Sequence, residues 1–359
     1  MPCNPFASQL LHWYKTQGRQ NLPWQKNRLP YNIWVSEIML QQTQVATVID
    51  YYLRFIARFP DVTSLASATS DEVLHLWSGL GYYTRARNLH RCAQQVVKEH
   101  QGKFPVHSLT AMESLPGIGP STAAAICAFS TGKRAVILDG NVKRVVARYF
   151  AIEGWYGKAK VTRKLWQAAD KLTPHQQLAE YTQAIMDLGA TLCTRSKPKC
   201  EVCPVASGCL AKKQSLTAEL PTPRPKKTLP QQTRHALVLL DNQGAIQLEK
   251  RPDQGIWGGL WSFPEFSSQQ ALQEWIVAHQ PLAKLEPSLK TTQNHLFSHY
   301  RLSLTLSVAR LTKPQLAENR ANYTEKLNWY DQQQFGNIGL AAPVKKLLPY
   351  LAKINLGES

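Results

Sequence analysis

The chain has no run approaching the roughly 18 consecutive apolar residues of a membrane-spanning helix, which excludes a helical membrane protein. Its first residues, Met1-Pro-Cys-Asn-Pro-Phe, lack the basic and apolar blocks of a secretion signal, so a cytoplasmic location is expected, at the nucleoid if the source is bacterial. Acidic residues are scarce. Against 42 Lys and Arg there are 24 Asp and Glu in 359 residues, a net charge of +18. Such a deficit suits a polyanionic partner, because each phosphate contact releases counterions. Cysteine is sparse too: of seven, four crowd into 17 residues, which argues against a disulfide framework and for a reducing compartment with a metal site. No internal repeat or oligomerisation signal is present, so a monomer is expected.

What is present divides the chain in three. From Pro5 to about Ala211 the apolar spacing is helical and strand signals are nearly absent. Ile33, Glu37, Leu40, Gln41, Gln44 and Val48 fall on one helical stripe. Breaks at Arg58-Phe-Pro60, Gly79-Leu-Gly81, Gly102-Lys-Phe-Pro105 and Leu115-Pro-Gly117 read as short connections in an all-α domain over residues 1–214. Residues 215–232, with Pro221, Pro223, Pro225 and Pro230, read as an extended linker. Beyond it the period shifts to two. Residues 235–240 and 245–249 predict a hairpin, alternation from Leu302 to Val308 predicts a half-buried strand, and residues 269–278 and 343–351 predict helices. An α+β module over residues 233–355 follows.

The richest stretch is Leu115-Pro-Gly-Ile-Gly-Pro-Ser121. Two helical patterns meet at Gly117-x-Gly119, leaving the first N–H groups of the second helix open to an anion, in a hairpin at about residues 107–130. Asp139 follows 18 residues after Ser121, behind the apolar run Val136-Ile-Leu138 and at the mouth of a basic helix that carries Lys143 and Arg144. Residues 143–164 hold seven basic residues and one acid, Glu153. A phosphate-holding turn beside a carboxylate points to chemistry on nucleic acid. Asp139 at a helix start is most simply a cap; with Asn141 two residues on to take that duty, it is left free for chemistry.

Cys193-x6-Cys200-x2-Cys203-x5-Cys209 supplies four thiolates among lysines and arginines. Spacing alone leaves tetrahedral zinc and an iron–sulfur cluster both open. Cys3, Cys92 and Cys127 are isolated and read as a tail thiol and two small core residues.

Together, residues 115–126, Asp139 in its Leu-Asp-Gly-Asn setting and the cysteine spacing resemble the helix-hairpin-helix base-excision glycosylases typified by endonuclease III. Ser36-Glu-Ile-Met-Leu-Gln-Gln-Thr-Gln44 and Gly79-Leu-Gly-Tyr-Tyr83 look like the adenine-removing branch of that superfamily. The resemblance spans essentially the whole chain. It implies an all-α glycosylase domain with one structural 4Fe–4S cluster on Cys193, Cys200, Cys203 and Cys209, and a C-terminal domain similar to Nudix hydrolases. It also implies double-stranded DNA as substrate, with adenine removed opposite 8-oxoguanine and, less readily, from A·G mispairs.

Breaking an N-glycosyl bond requires protonation of the leaving purine and a negative charge near the cationic sugar. Glu37, in a stripe otherwise apolar and amide-rich, should have its pKa raised by desolvation and keep a proton. The resemblance assigns it the protonation of adenine N7 and the activation of water. It gives Asp139 the sugar cation, with Asn141 and Ser121 in the same catalytic group. Relatives that also nick the strand carry a lysine at position 121, whose amine forms a Schiff base. Ser121 has none, so an intact backbone with an abasic site is the expected product. By the same resemblance, Gln42 and Tyr82 wedge at the lesion, Trp24 and Gln183 line the adenine pocket, and Gly117, Gly119, Lys143 and Arg144 hold the DNA backbone. Phe297-Ser298-His299 reads the opposite base.

Trp257-Gly-Gly-Leu-Trp-Ser-Phe-Pro264 resembles the lead-in to a Nudix active helix. The segment after it offers only Glu265 and Glu274 where Nudix enzymes gather several carboxylates around magnesium. No pyrophosphatase activity is therefore expected. Two other readings compete with an adenine glycosylase: a pyrimidine-lesion glycosylase/lyase similar to endonuclease III, and a non-enzymatic, zinc-containing DNA-binding module. Ser121 and the C-terminal domain weigh against the lyase.

Overall fold

The computed structural model describes residues 4–225, 228–311, 327–331 and 333–355. Met1 to Cys3, with the tail thiol, and residues 226–227 of the expected linker lie outside them. The chain separates into two compact units: Met1–Ser67 with Asn88–Lys226, and Ala68–Arg87 with Lys227–Ser359.

Among its described residues the first unit is helical. Helices α1 (Pro5–Gln17), α2 (Pro23–Lys26), α3 (Pro30–Leu40), α4 (Val45–Arg58) and α5 (Val62–Ala66) lead up to Ser67. Helix α6 (Ser70–Trp77) belongs to the second unit, and α7 (Thr84–His100) begins there and runs on into the first. Then come α8 (Leu109–Glu113), α9 (Pro120–Thr131), α10 (Gly140–Tyr149), α11 (Ala159–Leu172), α12 (Leu178–Asp187) and α13 (Leu210–Lys213). Their ends are chemically marked. Ser108 accepts the Ala111 N–H to start α8, and Pro120 opens α9 where its missing N–H costs nothing. Gly132 closes α9 in the left-handed region, at φ 65°. One core joins α1 to α9–α12, through Phe6, Leu10, Ala124, Val142, Val146, Leu165, Ala184 and Leu188. Each such buried Leu or Val side chain contributes about 1.5–3 kcal/mol of transfer free energy.

One sequence expectation fails here. The stripe from Ile33 to Val48 does not lie on one helix: α3 ends at Leu40, and α4 begins only at Val45. Gln42, between them, has φ 58°, a conformation that no helix continues through.

Among its described residues the second unit is built on a seven-stranded mixed sheet. Its strands are β1 (Gln231–Leu240), β2 (Ile246–Lys250), β3 (Trp261–Ser262), β4 (Glu265–Phe266), β5 (Ala283–Leu296), β6 (Arg301–Leu311) and β7 (Leu327–Tyr330). The spatial order is β3-β2-β1-β6-β5, with β4 on β1 and β7 on β2. β1 and β6 run parallel from Gln231↔Arg301 to Leu240↔Arg310, while β5 and β6 form a long antiparallel hairpin. Helix α14 (Gln269–His279) covers a face formed by Leu237, Leu239, Ala309 and Leu311, and α15 (Ala342–Asn355) follows at the end. β1 starts at Gln231, so the last two residues of the expected linker are strand.

Ala68–Arg87 groups with this sheet unit rather than with the helices around it in sequence, unlike the expected continuous domain over 1–214. Lys250 Nζ pairs with Asp71 Oδ2 at 2.9 Å, His75 Nδ1 lies 3.3 Å from the Ile338 carbonyl, and the Arg87 guanidinium donates to the Gly258 carbonyl. The backbone at Gly339 approaches so closely that a side chain there would stand 2.8 Å from Leu74 Cβ.

Candidate active site

Helix α3 is apolar nearly all round: Tyr31, Ile33, Trp34, Val35, Ile38 and Met39 are buried, and Glu37 is its one charged residue. It packs against α4 and α9, and Glu37, half-buried on it, faces a small pocket. Trp24, Gln25, Arg28, Phe129 and Gln183 line that pocket with it. Thus the structure brings Gln183, distant in sequence, together with Glu37 and Trp24. Trp24 is held edge-on to Tyr52, with ring centroids 5.4 Å apart. Burial, and then the negative charge of Asp139, pushes the Glu37 carboxyl up to about 8. It therefore carries a proton at neutral pH.

Asp139 stands at the N-terminus of α10, and here the capping expectation is corrected. Asp139 caps the helix itself: Oδ1 accepts the Val142 N–H at 2.7 Å. Asn141 does not take that duty; its Nδ2 lies 3.5 Å from Asp139 Oδ2, and its Oδ1 accepts from Arg144 Nη2 at 2.8 Å. Capping occupies one carboxylate oxygen and fixes where the other stands, so structural and chemical duties are compatible. Burial raises the Asp139 carboxyl, opposed by the Val142 N–H and by Arg144.

Ser121 lies in the first turn of α9, and its Oγ accepts the backbone N–H of Leu138 at 2.9 Å. The hydroxyl ties the hairpin helix to the strand-like run that delivers Asp139. Gly117 has φ 78°, and a side chain there would come 2.8 Å from Asn88 Cβ, so both conformation and packing demand glycine. Gly119 caps α9 with open space around it and no side-chain bond at the cap. Lys143 Nζ sits 5.4 Å from the Tyr156 ring centroid.

Arg144 departs from its expected place on DNA. Its guanidinium turns inward: Nε donates to the Cys193 carbonyl at 2.6 Å, and Nη2 to the Gly189 carbonyl at 2.6 Å as well as to Asn141. Gly189 must be glycine because Asn141 Cβ would lie 2.7 Å from any side chain there. A continuous path of polar contacts thus runs from Asp139 through Asn141 and Arg144 to the first cysteine of the cluster loop.

Arg148, one turn further along α10 and almost wholly buried, was not singled out by sequence. It donates to the carbonyls of Leu220, Thr194 and Arg195 at 2.7, 2.7 and 3.0 Å, and its Nη1 lies 3.4 Å from Cys193 Sγ. The four cysteines line one cavity walled by Val145, Leu188 and Val205, rather than closing on a single ion-sized point. Burial, joined by the neighbouring cysteines, pushes the Cys203 thiol up to about 11. Four thiolates can coexist here only around positive charge. That donor set fits a multi-iron cluster on Cys193, Cys200, Cys203 and Cys209, which would cross-link the loop.

The remaining expected residues sit elsewhere. Gln42 and Tyr82 both have positive φ, 58° and 48°, and Tyr82 is 56 % exposed. Non-glycine residues in that region store strain and cluster at functional positions. Arg85 braces the Tyr82 loop, donating to the Leu80 and Gly81 carbonyls at 3.1 Å with its guanidinium 5.7 Å from the Tyr82 ring. Phe297, Ser298 and His299 form the turn between β5 and β6. Phe297 is anchored against Trp257 and Tyr300, at 5.5 and 5.2 Å between ring centroids, while Ser298 and His299 are exposed. Glu265 pairs with Arg251 at 3.3 Å, and Glu274 on α14 accepts from Gln270 at 2.8 Å.

A helical hairpin, a capping aspartate whose charge acts on a half-buried glutamate, and a four-cysteine loop together define a DNA base-excision glycosylase. The family described as HhH-GPD superfamily base excision DNA repair protein matches residues 35–171; the iron-sulfur binding domain of endonuclease III matches residues 193–209 and the NUDIX domain residues 235–350. More narrowly, the chain belongs to the adenine DNA glycosylases. It is 38 % identical to the adenine DNA glycosylase of Buchnera aphidicola subsp. Acyrthosiphon pisum (strain APS), over 97 % of this chain and 98 % of that one. With the Homo sapiens adenine DNA glycosylase it shares 33 % identity, over 95 % of this chain and 73 % of the human one. A thermostable thymine-DNA glycosylase superposes with a TM-score of 0.53 at 30 % identity, over 58 % of this chain and 95 % of that one. The enzyme therefore hydrolyses the N-glycosyl bond of adenine in DNA during base excision repair and carries a 4Fe–4S cluster. No helix among the described residues is long and apolar enough to cross a membrane.

Proposed function

We propose that this enzyme removes adenine mispaired with 8-oxoguanine, and with lower preference adenine in A·G mispairs, and leaves an abasic site in an uncut strand. The observation that carries the chemistry is the place of Glu37 in the lining of a pocket shared with Trp24 and Gln183, where burial and then the charge of Asp139 push its carboxyl up to about 8. A stacked base cannot reach that pocket, so the adenosine must be flipped out. Glu37 then gives its proton to N7. The C1′–N9 bond breaks with its electron pair going to the neutral, departing adenine. Asp139 faces the sugar cation, water adds its oxygen to C1′, and the Glu37 carboxylate takes back the water's proton.

Ser121 supports a monofunctional course: its hydroxyl is engaged by Leu138 and offers no amine for a Schiff base. Strain at Gln42 and Tyr82 supports a wedge role. The open N-terminus of α9, with Gly117, Gly119 and Lys143, supports a grip on the backbone. Exposure of Ser298 and His299 on an aromatic footing supports a role in reading the opposite purine, where 8-oxoguanine offers an N7 donor that guanine lacks. Glu265 and Glu274 as the only carboxylates in residues 265–275, directly after the 257–264 segment, with Glu265 Oε2 on Arg251, support a C-terminal domain without pyrophosphatase activity. The decisive test is excision from duplexes with A·8-oxoguanine, A·G and A·T pairs, with and without alkali. Alkali-dependent breaks, strongest on the first and absent on the last, are expected. Strand breaks without alkali, together with borohydride trapping as strong as a lyase gives, would refute the monofunctional course.

A further inference from the structure

The pocket that contains Glu37 has two side-chain amides in its lining, and they are used differently. Gln25 spends both ends on backbone: Oε1 accepts the Leu22 N–H at 3.0 Å, and Nε2 donates to the Arg19 carbonyl at 2.8 Å. Gln183, in α12, is anchored at one end only. Its Nε2 donates to Oδ1 of Asp187, one turn on, at 2.9 Å.

Asp187 is wholly enclosed and clamped by Arg19. Arg19 Nε and Nη2 donate to Oδ1 at 2.9 and 2.6 Å, and the Arg19 backbone N–H donates to Oδ2 at 2.7 Å. An ionised carboxylate accepts and never donates, so Gln183 can turn only its NH2 towards it. The carbonyl must face the other way. Among the described residues Gln183 Oε1 accepts no bond, and it is not sealed inside the protein.

We propose that Asp187, held by Arg19, is a positioning residue that fixes the polarity of Gln183, so that the pocket presents a hydrogen-bond acceptor to the C6 substituent of the extruded purine. Beside it, the Glu37 proton offers a donor to N7. Adenine presents an N7 acceptor next to an N6 donor and matches this pair; guanine and hypoxanthine present two acceptors and meet an oxygen with an oxygen. A group able both to donate and to accept in place of Asp187 would let the amide turn over and admit the wrong base. The proposal rests on the reading that Glu37 and Gln183 meet the base.

The test measures single-turnover excision of adenine, hypoxanthine and unsubstituted purine opposite the same 8-oxoguanine. Asp187→Asn is made alone and also paired as Arg19→Gln/Asp187→Asn, since removing the carboxylate by itself leaves a partly buried guanidinium without counter-charge. Both are expected to lower the adenine-to-hypoxanthine rate ratio by about tenfold or more, because the correct contact is lost and the wrong one is made. Purine has no group at C6, so its excision should change by less than about threefold. Asp187→Glu, which can still only accept, should restore the ratio. An unchanged ratio in both Asn variants overturns the proposal; so does an equal fall on all three substrates, or loss of folding in both, which would mark Asp187 as merely structural. Gln183→Leu separates the two levels. If that change also leaves the ratio untouched, the reading of Gln183 at the base has failed; if it alone shifts the ratio, only the clamp has failed.

Discussion

Glu37 gathers the main conflict between stability and chemistry at a single residue. Its carboxyl is raised from 4.5 to about 8, so across that window the folded protein keeps a proton that the unfolded chain has released. Stability therefore falls as pH rises, by up to about 1.4 kcal/mol per pH unit, and levels off above the folded-state value. Glu37→Gln removes this dependence. Denaturant melts should show the variant gaining on the parent between pH 5 and 8, while it still binds the mispaired duplex and releases no adenine. Near-normal release would remove Glu37 from the acid role. In the parent, single-turnover excision should decline above about pH 8 as the acid form is lost. Ser121→Ala tests the tether: losing the Leu138 contact should cost about 1 kcal/mol in melts and slow excision without producing strand cleavage. The need for a proton on Glu37 was legible from its apolar neighbours. That Asp139 caps its own helix was not, because sequence offers both Asp139 and Asn141 as caps, and only backbone geometry chooses.

At the scale of the element, α10 does three things with one turn-by-turn pattern. Its N-terminus holds Asp139; Asn141 and Arg144 continue inward to Cys193; Arg148 gathers the carbonyls around the cluster loop. Lys143 and Arg144 are adjacent and equally charged, yet their positions predict opposite results. Lys143→Ala should weaken DNA binding and reduce the slope of log affinity against log salt by about 0.9, one phosphate's share. Arg144→Ala should leave that slope unchanged while absorbance near 410 nm and excision both fall, because the cluster loop loses its tie. Equal changes in salt slope for the two would contradict the inward placement of Arg144. Helical periodicity revealed α10 and its basic character, but which of two neighbouring charges faces the protein depends on what packs there. In this case that is the close approach of Gly189.

For the whole molecule, the grouping of Ala68–Arg87 with the sheet unit has a functional corollary. The segment that presents Tyr82 and the module that presents Ser298 belong to one compact unit, fastened by Lys250–Asp71 and by the close packing of Gly339 on Leu74. Ser298→Ala with His299→Ala should erode preference for 8-oxoguanine over guanine opposite the target more than it slows maximal excision, in single-turnover comparison of the two duplexes. Equal loss on both would take base reading away from this turn.

The order of helices, the shift to strands after the proline-rich stretch and the four-cysteine spacing were all present in the sequence, because periodicity and ligand spacing are local; the pairing of Glu37 with Asp139 came only from the family resemblance. Serine at 121 was equally plain, since excluding an amine nucleophile needs only the residue's identity. Tertiary structure decided the rest. It broke the Ile33–Val48 stripe at Gln42, turned Arg144 towards Cys193, moved residues 68–87 into the sheet unit, and set Asp187 and Arg19 behind Gln183. Each of these depends on contacts between distant segments, which burial and hydrogen-bond completion select and which no local pattern encodes. The hairpin at Leu115 to Ser121 shows both levels: its turn was readable from two glycines, but its hold on Asp139 passes through a single bond to Leu138 that only the folded chain forms.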